Sequence, residues 1–445
     1  MSSSSSSSYP KILLTGATGY VGGTVLHRLL TSPEASIRAL PKVSVLVRGE
    51  ERVDELLRTY GRDRVLPILF RNYDETELIE MLASQHDIVI NAGSGFHPAS
   101  AEAMVRGLRQ RSRQQQRNTT AKPWMLHTSG CSNVSDRPLT GEAFPDRELH
   151  DADGTTVYDF EKAENEREWY PQRASELAVL GHPAVSGPSP EVGAVSIQAP
   201  CIFGEGEGLF QRAGLMVPIM MRYVVEKGYG FQLGDGTGVI DYVHVADLAD
   251  LYVRCVRDIV ENAAQNLPSG ARGIVFPTAG RVYMRDIAQG CLDAAFAAGV
   301  LPRGGDGVMT PLRKYIRQVD LQEAATTTAG NVVVAEVGWA GHRATKGTVA
   351  RERLGWAPVH AAEAWAQDFV DELRHVVAGK RTVTIDSCIA EKEMLPHLEG
   401  GGGSAPLRCT FERATCLTLN NIVGEWSGIS VLRTTIGRRR FVALL

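Results

Sequence analysis

Apolar residues recur in two spacings along the first two hundred positions. Short runs that are apolar at nearly every position, bounded by glycine, proline or polar residues, occur at 12–14, 43–47, 65–70, 88–90, 124–127 and 194–198. Runs of that length and density suit strands covered on both faces. Between them the spacing widens to a helical one, beginning with Val25, Leu26, Leu29 and Leu30. Strand and helix in alternation predict an α/β fold, a doubly wound parallel sheet with helices on both faces. Beyond Pro200 the pattern is less regular and suits a smaller, C-terminal substrate-binding lobe. After residue 380 it changes again, with glycines at 400–403, three cysteines and the basic triplet Arg438, Arg439, Arg440. The expected organisation is therefore a disordered lead-in at 1–10, an α/β sheet domain at 11–200, a lobe at 201–379 and a weakly ordered or appended tail at 380–445.

The first strand-to-helix junction carries chemistry. Thr15, Gly16, Thr18, Gly19, Tyr20, Val21 and Gly22 lie between the run at 12–14 and the first helical pattern. Three glycines at that spacing have separate tasks: Gly16 lets the backbone turn, Gly19 leaves room for a pyrophosphate, and Gly22 lets the helix pack on the sheet. The unpaired N–H groups at the helix start then face the phosphates. A tight turn would need glycine with or without a ligand, but strand and helix on either side favour dinucleotide binding.

Composition narrows the partner. The chain has 445 residues, 43% of them apolar and 22% charged, with a formal charge of −4. Nothing in that balance calls for nucleic acid, and no apolar run is long enough for a bilayer span, so a small-molecule substrate is expected. The arginines and glutamines at 109–117 read as a solvated helix face. The serine run at 2–8 lacks the apolar centre of a secretory signal, which points to a cytoplasmic chain. Seven scattered cysteines show no metal-ligand spacing, and no metal site is expected. A homodimer is left open.

With the glycine turn, Asn91-Ala92-Gly93 after the fourth strand, Asp241-Tyr242-Val243-His244-Val245-Ala246-Asp247-Leu248-Ala249, and Arg353-Leu354-Gly355-Trp356-Ala357-Pro358, the chain resembles the extended or atypical short-chain dehydrogenase/reductases, the NAD-dependent epimerase/dehydratase-like group. The resemblance covers roughly residues 11–375. It implies a Rossmann-type fold and a nicotinamide cofactor, with Asn91, Ala92 and Gly93 passing its ribose and Asn72 and Asp74 near the adenine. His244 and Asp247 read as structural hydrogen bonders.

The second strand run ends at Arg48, where a carboxylate would bind an adenosine ribose and a guanidinium would pair with a 2′-phosphate. NADP is favoured on that ground, and NAD stays possible because Glu50 and Glu51 follow. For catalysis the resemblance implies a tyrosine and a lysine four residues apart, the ammonium lowering the phenol pKa. Tyr158 and Lys162 have that spacing, with Glu166 after them. Pro171 interrupts the pattern, however, and a second register offers Tyr170 with Arg173. The third hydroxyl is expected after the fifth strand, in His127-Thr128-Ser129-Gly130-Cys131-Ser132. Ser129 is the candidate, with Ser132 as substitute, since Gly130 stands where the group carries a serine; a Ser/Thr-rich turn is the plain alternative.

Nucleotide-sugar enzymes of this group carry an arginine just before the Asp-Tyr-x-His segment, and this chain has Ile240. A small, weakly charged carbonyl or hydroxyl substrate is expected, with the run at 215–221 as an apolar wall and Glu205, Glu207 and Phe210 as minor contacts. The expected activity is that of an NADP-dependent oxidoreductase. An epimerase or dehydratase with tightly held cofactor, and a silent NADP(H)-binding sensor, are the alternatives.

Overall fold

The computed structural model describes residues 9–115, 122–188, 190–301 and 316–380. The serine run and the tail beyond Lys380 lie outside the described residues.

The strands form where the dense apolar runs fall: β1 (Ile12–Thr15), β2 (Val43–Val47), β3 (Val65–Leu69), β4 (Ile88–Asn91), β5 (Trp124–Gly130), β6 (Gly193–Ala199), then β7 (Cys201–Phe203), β8 (Val239–His244), β9 (Ile274–Val275) and β10 (Gly280–Tyr283). A seven-stranded sheet runs in the order β9-β6-β5-β4-β1-β2-β3. Every neighbouring pair in it is parallel. Strand order reverses between β1 and β4, and that switch point is where such sheets open a crevice beyond the strands' carboxyl ends.

Residues of β1 alternate between two cores. Ile12 and Leu14 join Val25, Leu26, Val45, Leu248 and Tyr252 on one face, and Leu13 joins Leu46, Val89, Met104 and Val179 on the other. Each such side chain, fully withdrawn from water, contributes on the order of 1.5–3 kcal/mol. The covering helices are α1 (Tyr20–Thr31), α2 (Glu50–Tyr60), α3 (Thr76–Ala83), α4 (Pro98–Gln115), α5 (Gly154–Arg167) and α6 (Pro171–Leu180). Further on come α7 (Met216–Lys227), α8 (Val245–Asn262), α9 (Met284–Ala297), α10 (Val332–Trp339) and α11 (Ala362–Val377). The solvated face expected at 109–117 is partly an ion-pair seam: Arg109 and Arg113 reach Glu191, and Arg111 reaches Asp87.

The two expected parts interleave. Helix α8 and strand β9 come from beyond Pro200 and yet complete the sheet layer. A separate core gathers Phe231, Tyr242, Trp339, Trp365 and Phe369 around α7 and α9, with β10-β8-β7 as a small sheet beside it. Among the described residues no helix is long and apolar enough to cross a membrane.

His244 and Asp247 tie these parts together. The His244 ring accepts from the Ala246 N–H at the start of α8 (3.1 Å). The Asp247 carboxylate takes the N–H and Nδ1 of His360, and its carbonyl takes the indole of Trp356. Both residues serve as caps and ties, as expected.

Candidate active site

A cavity of about 500 Å³ runs along the carboxyl ends of the strands, from the glycine turn to the small lobe. Gly16 has φ +76°, a left-handed conformation that disfavours any side chain. A Cβ there would also lie 2.5 Å from Gly93 Cα, and one at Gly22 would lie 2.6 Å from Gly16 C. At Gly19, by contrast, the closest atom to an added Cβ is Gly16 O at 3.2 Å. The glycines at 16 and 22 are thus demanded by the chain itself, while at Gly19, which lines the cavity, an added Cβ would meet one tight backbone contact and nothing else within 4 Å. Helix α1 has no side-chain cap and no acidic residue in its first turn, so its N–H groups and positive dipole end stay available to an anion.

Beneath the turn, Thr15 Oγ1 donates to Asn91 Oδ1 (2.8 Å), and Asn91 Nδ2 donates to His127 Nδ1 (3.0 Å). The chain of bonds fixes the ends of β1, β4 and β5. Burial pushes the His127 pKa down to about 4, so the ring is neutral and its Nδ1 free to accept. Thr15, Asn91 and Gly22 therefore support the cavity, whereas Gly16, Thr18, Gly19, Tyr20, Val21, Ala92 and Gly93 line it.

Arg48 lines the cavity just past β2, joined by Arg52 one turn into α2. Neither Glu50 nor Glu51 does; a Cβ on Gly49 would lie 2.7 Å from Glu51 Oε2, so that carboxylate folds back over its own helix start. Asp74 is displaced from its expected place. Its side chain is 75% exposed and pairs with His97, and the lining residue from that loop is Tyr73, whose buried phenol sits against Gly93.

The far end of the cavity differs from expectation more sharply. Tyr158 and Lys162 both lie on α5, outside the lining: Lys162 is exposed, and an added Cβ on Gly181, at the end of α6, would lie 2.5 Å from the Tyr158 hydroxyl. The cause is Pro171. It starts a new helix, α6, and α6 rather than α5 packs against β5. Tyr170 at its start and Gln172 in its first turn reach the cavity instead, opposite Ser129, Gly130 and Ser132. Ser132 donates to the Gln172 side-chain oxygen and is hydrogen-bonded to the Tyr170 phenol. The phenol is buried, and that desolvation holds its pKa above the ordinary value in spite of Arg173 and Arg343 nearby. It is a proton-bearing group at neutral pH.

Behind Ser129 lies a buried pair of carboxylates. Asn133 donates to Ser129 Oγ (3.0 Å) and to Glu176 (2.9 Å); Gln198 donates to Glu176 (2.8 Å) and to Glu161. Both glutamates are 0% exposed. Burial and their mutual repulsion push the Glu161 pKa well up. Among the described residues Glu176 has several donors and Glu161 only Gln198, so the upward push is the stronger on Glu161.

Leu215, Met216 and Ile219 line the cavity, while Val217, Met220 and Met221 fill the lobe core. Glu207 makes a two-point pair with Arg28 (2.5 and 2.6 Å), Glu205 pairs with Arg212, and Phe210 lies beneath Arg52. These three residues brace the loop and are not in the lining.

No protein-family model matches the chain. It is 27% identical to oxidase ucsJ of an Acremonium species over 363 residues, 78% of this chain and 93% of that one. Among solved structures, DesIV of Streptomyces venezuelae, a dTDP-glucose 4,6-dehydratase crystallised with NAD and TYD, superposes with a TM-score of 0.52, covering 83% of this chain and 98% of that one at 15% identity. The PbgP3 protein of Burkholderia pseudomallei superposes with a TM-score of 0.50 over 84% of this chain and 98% of that one, at 14% identity. The likeness is one of fold, a doubly wound, Rossmann-type parallel sheet such as DesIV has.

Within that fold, sequence reasoning missed Tyr73, Arg52, Gln172, Trp339 and Arg343, all in the lining. Tyr73 adjoins the loop that was already suspected. Arg343 carries no local signal: it enters through a backbone bridge beside Ile240, a hundred residues away in sequence.

Proposed function

We propose that this chain is an NADP(H)-dependent oxidoreductase that interconverts a carbonyl and an alcohol. One observation carries the reading: a single cavity is continuous from a glycine turn with an uncapped helix start and two arginines to a buried, protonated phenol with hydroxyl partners. The turn fits a dinucleotide, since Gly16 and Gly22 pack against backbone while Gly19 lines the cavity with no side chain to obstruct it. Gly16, Thr18, Gly19 and the start of α1 would hold the pyrophosphate, Ala92 and Gly93 would adjoin a ribose, and Arg48 with Arg52 would pair with a 2′-phosphate. A reduced nicotinamide bound there supplies hydride.

The chain's own part in the reduction is to move a proton and exclude water. Tyr170 donates its phenolic proton to the carbonyl oxygen as that oxygen gains charge, and Ser132, held by Gln172 and hydrogen-bonded to the phenol, keeps the phenol in place. In the oxidative direction the same oxygen takes the proton back. Tyr170 thereby takes the role expected of Tyr158, and Ser129 is held toward the cavity by Asn133. The oxidase named as a relative is in keeping with redox chemistry. Among the described residues no lysine lines the cavity, which favours one second reading, a silent NADP(H) binder.

The test is NADPH oxidation by the full chain across a panel of ketones and aldehydes. Turnover that falls in Tyr170→Phe with unchanged NADPH affinity supports the enzyme; tight NADPH binding with no turnover on any member supports the silent binder; absence of NADPH binding refutes both.

A further inference from the structure

The wall opposite Tyr170 holds a charge that the apolar side chain at 240 conceals. Arg343 lines the cavity and is 6% exposed. Its backbone N–H donates to Val239 O (2.8 Å), which seats it beside Ile240. Among the described residues the guanidinium donates only from Nη2, to Gly338 O (3.0 Å) and weakly to Met284 Sδ (3.9 Å), and its Nε has no partner. No carboxylate lies within ion-pair distance among the described residues. Asp136, the acid that interacts with it through space, is consumed by the N–H and Nδ1 of His342 and the N–H of Phe144.

Buried guanidinium groups are normally paired, because removing an ion from water is costly unless an opposite charge replaces the solvent. Here burial presses the Arg343 pKa below its ordinary value, and Tyr170, Cys131 and Cys201 surround it without a fixed anion. Trp339, Val337, Ile219 and Leu215 also line the cavity and are apolar.

We infer that Arg343 is the anchor for a carboxylate on the substrate, which is a hydrophobic oxo acid with its carboxylate at Arg343, its carbonyl at Tyr170 and its apolar body against Trp339. A guanidinium fork is suited to a planar two-oxygen group. The inference replaces the weakly charged substrate expected from Ile240 and rests on the reading of the cavity as an oxidoreductase site.

Calorimetric titration of the full chain, saturated with NADPH, against 2-naphthoate, methyl 2-naphthoate and 2-naphthyl phosphate tests it. Wild type is expected to bind the acid at least about tenfold more tightly than the ester, the scale of a charge-assisted hydrogen bond. Arg343→Met is expected to bring that ratio close to one, and Arg343→Lys to retain part of it. If Arg343→Met does not fold, Arg343→Lys and the wild-type ratio carry the result. Equal binding of acid and ester by wild type, no binding of the acid, or a preference kept in the folded Met variant overturns the inference. Tighter binding of the phosphate overturns the carboxylate in favour of a phosphate ester. A separate NADPH titration isolates the underlying reading: failure there refutes the oxidoreductase site, while normal NADPH binding without acid preference refutes the anchor alone.

Discussion

Glu161→Gln is expected to stabilise this protein at neutral pH. The glutamate is fully buried, its Oε2 has no partner, and its Oε1 shares the Gln198 amide with Glu176. Burial and repulsion raise its folded pKa above the unfolded value of about 4.3. A raised folded pKa contributes stability that is complete below pH ~4.3 and is lost as pH climbs toward the folded pKa. The loss runs at about 1.4 kcal/mol per pH unit while the folded carboxyl keeps its proton, and reaches about 4 kcal/mol by pH 7 if it keeps it throughout. Glutamine has nearly the shape of the protonated acid and does not titrate, so the variant escapes that loss. Arg173, buried nearby, favours the ionised carboxylate and so limits how far the folded pKa rises, which makes 4 kcal/mol a ceiling. Melting temperatures of both proteins measured from pH 4 to 8 check this. The curves should meet near pH 4 and part by several degrees at pH 8, the variant higher. A variant less stable than wild type by the same amount at every pH would refute a protonated Glu161 and make it an ionised partner of Arg173.

Arg48→Ala should weaken NADPH binding about tenfold or more while leaving NADH within twofold, as measured by fluorescence titration; equal losses for both would remove the 2′-phosphate role. Tyr170→Phe should reduce turnover about a hundredfold or more with little change in NADPH affinity, and Tyr158→Phe should leave turnover within about twofold, since its hydroxyl abuts Gly181. Gly16→Ala combines a left-handed residue with a clash against the backbone at 92–93 and should cost more than about 1 kcal/mol, seen as a lower melting temperature along with lost NADPH binding.

The sheet was legible because most of its strands are buried on both faces and so are apolar at nearly every position; β2 ends and begins where the apolar run does, and β1 and β4 depart by one residue at an end and β6 by one at each end. The glycine turn was legible for a similar reason, being confined to eight successive residues. Catalysis was not. Tyr158 and Lys162 satisfy a spacing, and spacing shows which residues share a helix without showing which helix meets the sheet. Pro171 marked the break, and only packing shows that the later helix takes the inner place. Arg343 lay further from reach: Ile240 gave a correct local reading of an apolar wall, and the cation arrives from a segment brought alongside it by one bridge. Asp74 failed for a third reason, since its neighbour Tyr73 is the side chain that the turn at 72–75 points inward.

A crystal structure of the full chain with NADP+ would place the cofactor directly. The pyrophosphate should lie over Gly19 at the start of α1, the 2′-phosphate between Arg48 and Arg52, and the nicotinamide ring within reach of the Tyr170 hydroxyl. A ring closer to Tyr158 than to Tyr170, or a pyrophosphate away from the glycine turn, would contradict the proposed site.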